Sequence, residues 1–130
     1  MELPRFVVLH HTGCDPPHYD FMLQGLDGQT SSAAELATFR APRWPISAGD
    51  ELEQISSHRA DFLTYEGPLT GGRGAVRRVA RGRFGVLQKS GEFLQLELKP
   101  DHASSGCRIA LSRIKKGRNV WLVETACEAV

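Results

Sequence analysis

Histidine and aspartate side chains with the chemistry of a metal site cluster near the start of the chain. His18 and Asp20 lie two positions apart in a His-Tyr-Asp-Phe stretch, and His11 precedes them at the end of an apolar run. Side chains alternate between the two faces of a β-strand, so His18 and Asp20 would point the same way. Two histidines and one carboxylate can hold a divalent metal and leave positions open for substrate. The pattern suggests a metal-dependent active site, although a salt bridge from an arginine would also satisfy the pair.

The first histidine of this set can be either of two neighbours. In a strand from Arg5 to His11, the side chains of His10 and His11 point to opposite faces, so only one of them can face a given pocket. The spacing does not decide which. Cys14 adds an alternative, because with His11 and His18 it could form a zinc site that includes a thiolate.

Further along the chain, a histidine and an arginine have the chemistry to bind phosphate. His58 is followed directly by Arg59 and stands just before an apolar segment. A histidine in this position could bind a phosphate or donate a proton to it. A solvated loop histidine would have the same local sequence.

Arginines form a positive strip in the middle of the chain. Arg73 lies in a glycine-rich turn, where backbone N–H groups can approach a phosphate closely. No acidic residue occurs between Gly67 and Leu87, so the strip is suited to phosphate contacts. Strand alternation predicts that Arg77, Arg81 and Arg83 share one face and that Arg78 lies on the other.

Composition indicates an ordinary globular protein. The 130 residues are 41% hydrophobic and 24% charged, which is typical of a single domain spanning residues 1–130. The net charge of +1 excludes a polycation, so any affinity for nucleic acid must come from a local patch. No signal peptide or membrane-spanning segment is expected. The three cysteines, at positions 14, 107 and 127, fit a reducing cytoplasm better than a disulfide framework, so we expect a cytoplasmic protein with no membrane partner.

Short β-forming segments separated by glycine and proline predict an all-β, mainly antiparallel fold. Leu94, Leu96 and Leu98 alternate with polar residues, as in a half-buried strand. The expected strands are Arg5–His11, His18–Gly25, Leu52–Ser57, Ala60–Tyr65, Ala75–Arg81, Arg83–Lys89, Glu92–Lys99, Cys107–Ile114 and Asn119–Glu124. Turns are expected at Asp27-Gly28 and Lys115–Arg118, loops at Ala41–Gly49 and Pro100–Gly106, and Ser31–Phe39 is ambiguous between helix and strand. We predict a compact, closed or partly open β-barrel of about eight strands with little helix.

Taken in order, these residues resemble the 3′-phosphoesterase domain of bacterial DNA ligase D proteins and its short stand-alone relatives. That family opens with an apolar strand ending in histidine, matched by His11, and continues with a His-Tyr-Asp-Phe strand, matched from His18. A histidine before an aromatic-Glu-Gly is matched by His58 and Tyr65–Gly67, and a glycine-rich turn before a basic strand is matched by Gly71–Phe84. The resemblance covers nearly the whole chain.

The resemblance implies an enzyme that removes a 3′-phosphate or a 3′-terminal ribonucleotide in DNA break repair by non-homologous end joining. It implies a divalent metal, usually manganese with zinc or cobalt as alternatives, held by His11, His18 and Asp20. His58 matches a histidine that binds or protonates the phosphate. The implied partners are nucleic-acid 3′ ends, foremost a DNA primer-template, together with end-joining ligases or polymerases. From the basic residues described above, apart from the resemblance, we expect contacts to phosphate or nucleic acid by Arg59, Arg73 and Arg77.

Two positions depart from the family pattern. Met22 stands where the family often has an arginine, and Phe62 stands where it often has a tyrosine. An arginine-to-methionine change removes a charge-assisted phosphate contact, and a tyrosine-to-phenylalanine change removes a hydroxyl donor. Two alternatives to the leading function therefore stay open. One is a catalytically weakened module that binds DNA ends, and the other is a barrel enzyme for a different phosphate ester.

Overall fold

The computed structural model describes residues 3–26, 35–103, 105–114 and 119–127. The strands are β1 (Arg5–Thr12), β2 (His18–Gln24), β3 (Glu35–Ala41), β4 (Glu51–Arg59), β5 (Gly67–Pro68), β6 (Ala75–Lys89), β7 (Phe93–Pro100), β8 (Cys107–Arg113) and β9 (Val120–Thr125). Two short 3₁₀ helices, Ala60–Leu63 and Thr70–Gly72, lie between β4 and β6. No helix in these ranges is long and apolar enough to cross a membrane.

Eight antiparallel strands close into a barrel, as predicted. Hydrogen-bonded neighbours follow the order β1-β2-β3-β4-β9-β8-β7-β6, and β6 pairs back with β1. The short β5 is an additional strand on β6. The length of β6 makes closure possible, because its first part pairs with β1 and its second part pairs with β7.

Gly82 lies at this closure and does not divide β6. The expectation of two strands separated at Gly82 is wrong, because this residue is opposite Phe6 on one side and Pro100 on the other. A Cβ atom at Gly82 would lie 2.2 Å from the carbonyl oxygen of Lys99. The glycine therefore marks a close approach between backbones and not a chain break.

The segment Ala60–Tyr65 is not a strand, contrary to expectation. It forms a 3₁₀ helix and a turn, in which the backbone N–H groups of Thr64 and Tyr65 donate to the carbonyl of Asp61. A short apolar run does not distinguish a strand from a helix that packs one face. The ambiguous segment Ser31–Phe39 contributes to β3 from Glu35 onward, while its first four residues and the turns expected at Asp27-Gly28 and Lys115–Arg118 lie outside the described residues.

Two apolar clusters lie on opposite sides of the barrel wall. The interior cluster draws on all eight barrel strands and includes Phe6, Phe21, Phe39 and Trp121. A smaller outer cluster lies on the outside of the wall, where apolar side chains of the segment between β4 and β6 cover it. Both faces of β1 are thus buried, which explains its continuous apolar run. The outer cluster consists of Val7, Leu9, Met22, Leu36 and Val76, with Phe62, Leu63 and Leu69 packed against it.

A β-bulge in β6 changes which arginines share a face. Leu9 is opposite Arg78, whereas Val8 is opposite Ala80, so Val79 is the extra residue. The extra residue reverses the alternation, so odd-numbered residues before the bulge and odd-numbered residues after it point to opposite faces of the wall. The expectation that Arg77, Arg81 and Arg83 share one face is wrong for this reason.

Cys107 and Cys127 form a disulfide, with their Cα atoms 5.7 Å apart. The expectation that the cysteines form no disulfide is wrong for these two residues. Strands β8 and β9 pair antiparallel, so Cys107 at the start of β8 lies beside Cys127, which follows the end of β9. Cys14 is a free thiol.

Candidate active site

A cavity of about 640 Å³ opens on the outer face of the barrel wall. It lies between strands β1 to β4 and the segment that carries the two 3₁₀ helices, at one end of the outer cluster. The volume is in the usual range for a ligand site. Seven of the candidate side chains selected from the sequence line it: His11, Cys14, His18, Asp20, His58, Arg59 and Arg73.

Strand pairing brings the three expected metal ligands together. His11 on β1 is directly opposite His18 on β2, and Asp20 follows two residues later on the same face. His11 Nδ1 lies 3.2 Å from His18 Nε2, and Asp20 oxygens lie 3.9 Å and 3.4 Å from these two nitrogens. Ligands about 2.1 Å from one ion are about 3 to 3.5 Å apart at octahedral or tetrahedral angles. The two nitrogens and the Asp20 carboxylate, which approaches His18 through Oδ1 and His11 through Oδ2, therefore have separations close to those of a common coordination sphere.

Backbone carbonyls fix the orientation of both imidazole rings. His11 Nε2 lies 2.6 Å from the carbonyl oxygen of Arg73, and His18 Nδ1 lies 3.2 Å from that of Pro16. A carbonyl oxygen can only accept, so each of these ring nitrogens carries the hydrogen and donates it. The opposite nitrogens, which face each other, are then bare lone pairs in the neutral rings. Metal-binding histidines are typically held in this way, with the other N–H on a backbone carbonyl.

Asp20 has a buried carboxylate oxygen that a cation could satisfy. The residue is 3% exposed, and its Oδ1 is buried with no hydrogen-bond partner in the described residues. A buried carboxylate oxygen without a donor is costly, as is a close contact between two bare imidazole nitrogens. A divalent ion among these three atoms would satisfy all of them.

Cys14 offers a second donor set on the same histidines. His11, Cys14 and His18 have ligand atoms within 4.8 Å of one another, so this group could hold a metal ion. Cys14 Sγ lies 3.9 Å from Nδ1 of His18, the nitrogen that donates to Pro16. The two ring nitrogens of His18 point in different directions, so a single ion cannot use both. The set with Asp20 is the more compact of the two.

Burial lowers the pKa of His18 below its ordinary value of 6.5, and desolvation is the largest cause. The Asp20 carboxylate and the hydrogen bond to Pro16 oppose this shift, while the Arg40 guanidinium and the His11 ring add to it. The ring is consequently neutral at physiological pH, the form in which imidazole binds metals.

We expect the metal-free protein to lose stability as the pH falls below 6.5. At that pH the unfolded chain takes up a proton on His18 that the folded protein, with its lowered pKa, does not. The free energy of unfolding then falls with pH, by at most about 1.4 kcal/mol per pH unit for one group. Urea unfolding in EDTA between pH 7.5 and 5.5 measures this loss. A His18→Gln variant should show a shallower decline, and parallel declines would contradict the assignment.

Two glycines let the Arg73 carbonyl reach His11. Gly13 and Gly74 have φ angles of +74° and +91°, which L side chains rarely adopt. A Cβ atom on Gly74 would lie 2.0 Å from the carbonyl oxygen of Thr12, and one on Gly13 would lie 2.9 Å from Gly74 Cα. The loops after β1 and before β6 therefore touch backbone to backbone, next to the ring that Arg73 orients.

Replacing Gly74 with alanine should destabilise the protein and weaken metal binding together. The strained backbone and the clash with Thr12 should lower the free energy of unfolding by about 2 kcal/mol or more. Urea unfolding would measure this loss. Gly71→Ala is the matched control, because Gly71 also has a positive φ, of +72°, but open space around its Cβ position. The control should lose about 1 kcal/mol from its left-handed backbone alone and keep its metal affinity. Equal losses in the two variants would show that the close approach is unimportant.

His58 presents one ring nitrogen to the cavity. Its Nδ1 lies 3.0 Å from Thr38 Oγ1 and 3.2 Å from the carbonyl oxygen of Ser56. The Thr38 hydroxyl donates to the carbonyl of Leu36, so it accepts from His58 Nδ1–H. Nε2 is left as the bare nitrogen, and the ring packs edge-on against Phe62 at 5.5 Å between centroids.

The predicted phosphate-binding arginines differ in where they lie. Arg59 and Arg73 line the cavity, whereas Arg77 does not. Arg77 follows the cavity-lining Val76 on β6, so its side chain points to the opposite side of the wall, where it is opposite His10. Two other arginines of the strip are engaged with acidic residues, which the sequence spacing did not reveal: Arg78 with Glu66 and Arg81 with Asp101.

Sequence reasoning missed Arg40 and Thr38. Both lie on β3, on the face of the wall that carries the expected metal ligands, because Arg40 is opposite Asp20 and Thr38 is opposite Met22, two residues after Asp20. Their polar character at alternate positions, with Phe39 between them, was the available signal. It could be used only once β3 was known to be a strand next to β2.

A scan of the chain against protein-family models and a search of curated proteins found no match.

Proposed function

We propose that this protein is a metal-dependent phosphoesterase that processes nucleic-acid 3′ ends. The observation that carries the proposal is the convergence of His11 Nδ1, His18 Nε2 and the Asp20 carboxylate, whose Oδ1 has no hydrogen-bond partner in the described residues, at an open cavity. Two histidines and a carboxylate leave coordination positions free for a substrate. The resemblance to DNA ligase D 3′-phosphoesterases supplies the substrate class.

The first step is binding of the 3′-terminal phosphate next to the three donor atoms. A divalent cation, manganese foremost with zinc or cobalt as alternatives, would polarise a phosphoryl oxygen and offset its charge when bound. His11 and His18 would hold it through nitrogens whose rings are already oriented by Arg73 and Pro16. This orientation reduces the cost of assembling the site.

His58 has the proton-transfer role. Thr38 and Ser56 hold its Nδ1–H, so Nε2 is the atom that carries or gives up a proton in the cavity. When protonated, this nitrogen donates to the oxygen that leaves the phosphorus, which becomes the 3′-hydroxyl. Water supplies the hydroxyl group that ends on phosphorus, and inorganic phosphate is released from a 3′-phosphate end.

The alternative is a catalytically weakened module that binds DNA ends. The observation that favours it is the absence of a hydroxyl at Phe62, which lines the cavity beside His58. Tyr65 does not replace it, because its hydroxyl donates to the carbonyl of Pro68 and its ring packs on Phe62. Such a module would bind ends without turnover.

Turnover on defined ends tests the proposal. Purified protein with Mn²⁺ is incubated with a 5′-labelled primer-template that carries a 3′-phosphate or a single 3′-ribonucleotide, and products are resolved by denaturing gel. We expect conversion to a 3′-hydroxyl primer that a DNA polymerase extends. Absence of product with Mn²⁺, Co²⁺ and Zn²⁺, together with salt-sensitive binding of the same DNA, would establish the binding module instead.

A further inference from the structure

Arg40 is a cavity-lining cation without a partner in the described parts of the chain. It lies on β3, opposite Asp20 on one neighbouring strand and Glu53 on the other. Its guanidinium nevertheless forms neither an ion pair nor a hydrogen bond with either carboxylate or with any other described residue. Its five N–H donors are therefore open to a ligand in the cavity.

The other two arginines of the cavity are engaged. Arg59 is 3.9 Å from Asp61 and its side chain is 83% exposed. Arg73 donates from Nε to the carbonyl of Thr70 and from Nη2 to its hydroxyl, at 2.9 and 3.1 Å. These contacts tie Arg73 to its own turn, and the charge of Arg59 lies mostly in solvent, whereas Arg40 is directly opposite Asp20.

The position of Arg40 places its charge beside the metal ligands. It is the direct cross-strand neighbour of Asp20, so the two side chains lie on the same face of the wall. A phosphate held at the three donor atoms would therefore have a guanidinium next to it. The planar fork of arginine matches two oxygens of one phosphate.

The number of free oxygens distinguishes two kinds of phosphate. A terminal monoester has three non-bridging oxygens, so one can face the metal ligands while two remain for the fork of Arg40. An internal diester has only two, and cannot satisfy both partners in this way. This count favours a terminal phosphate as the group that Arg40 recognises.

We propose that Arg40 binds the terminal phosphate monoester of a 3′ end and makes the site prefer that end over a 3′-hydroxyl. The choice of ligand rests on the proposed function. Arg40 would act as a phosphate-binding residue that enters the site from β3, a strand separate from those that carry the metal ligands.

Binding of two matched oligonucleotides tests this inference apart from catalysis. Fluorescence anisotropy compares a labelled 3′-phosphorylated strand with its 3′-hydroxyl counterpart, in Mn²⁺ and in a His58→Gln background that slows turnover. We expect at least a tenfold preference for the phosphorylated strand, which R40Q should abolish and R40K should only reduce. The control is R77Q, which removes a cation outside the cavity and should affect both strands equally.

The outcomes separate this inference from the proposed function. An R40Q variant that keeps the preference, or a parent protein that has none, would overturn the role of Arg40 even if the wild-type enzyme turns over substrate. A preference that depends on Arg40 in a protein without turnover would support the phosphate site and overturn the phosphoesterase activity. Loss of the preference in R77Q as well would show general attraction to DNA and overturn the specific role.

Discussion

Replacing Asp20 with asparagine should abolish Mn²⁺ binding and lower kcat/KM on a 3′-phosphorylated primer end by about 1,000-fold or more. Asparagine has nearly the same size but no charge, so the change removes a metal ligand with little effect on packing. Asp20 is 3% exposed and its Oδ1 has no hydrogen bond in the described structure. Isothermal titration with Mn²⁺ and a primer-end assay measure the two effects.

Urea unfolding with and without Mn²⁺ distinguishes a metal-binding role of Asp20 from a purely structural one. At pH 8, where its lowered pKa leaves His18 neutral, Asp20 without metal is a buried charge with little compensation, so metal-free D20N should unfold at the same urea concentration as wild type or a higher one. Mn²⁺ should stabilise the wild-type protein and not D20N.

Asp50→Asn is the matched control, because Asp50 is also buried but lies outside the cavity, where it accepts from the backbone of Ser47 and pairs with Arg43. D50N should lose stability and keep its Mn²⁺ affinity. If D20N instead lost stability and kept its Mn²⁺ affinity, Asp20 would be a structural carboxylate.

Replacing His58 with glutamine should lower kcat by about 100- to 10,000-fold while leaving Mn²⁺ affinity unchanged. These are the usual limits for removal of a general acid. Glutamine fills much of the space beside Phe62 but cannot transfer a proton at neutral pH. Single-turnover assays at saturating primer measure the rate, and Mn²⁺ titration provides the control. A rate within fivefold of wild type would remove His58 from the reaction.

Thr38→Val refines this prediction. Valine keeps the shape of the buried Thr38 but takes away the oxygen that accepts from His58 Nδ1–H. The remaining contact with the Ser56 carbonyl should hold the ring less well, so we expect a smaller loss than in H58Q and a shifted pH–rate profile. A purely structural role for Thr38 would lower stability without moving the profile.

Strand alternation was enough to predict which side chains lie together at the centre of the candidate site. Spacing of two in a strand placed His18 and Asp20 on one face, and their pairing with β1 confirmed His11 as the neighbour. The same reasoning did not decide whether His10 or His11 faces the site. Neighbouring residues on a strand point to opposite faces, and the sequence does not show which face carries the cavity. His10 in fact points the other way and stacks on Tyr19.

Residues that reach the site from distant parts of the chain could not be predicted in the same way. Thr38 and Arg40 enter through the pairing of β2 with β3, and a single sequence does not give the register between two strands. The contact of His11 with Arg73 uses a backbone carbonyl, which no residue type identifies. The bulge at Val79 reversed the faces of the arginines because one inserted residue changes the alternation for all that follow.

Crystals soaked in MnCl₂, with anomalous diffraction recorded at the manganese edge, test the metal assignment most directly. We predict one strong anomalous peak about 2.0 to 2.3 Å from His11 Nδ1, His18 Nε2 and an oxygen of Asp20. A peak on Cys14 Sγ and His18 Nδ1, or no peak within this cavity, would contradict the assignment.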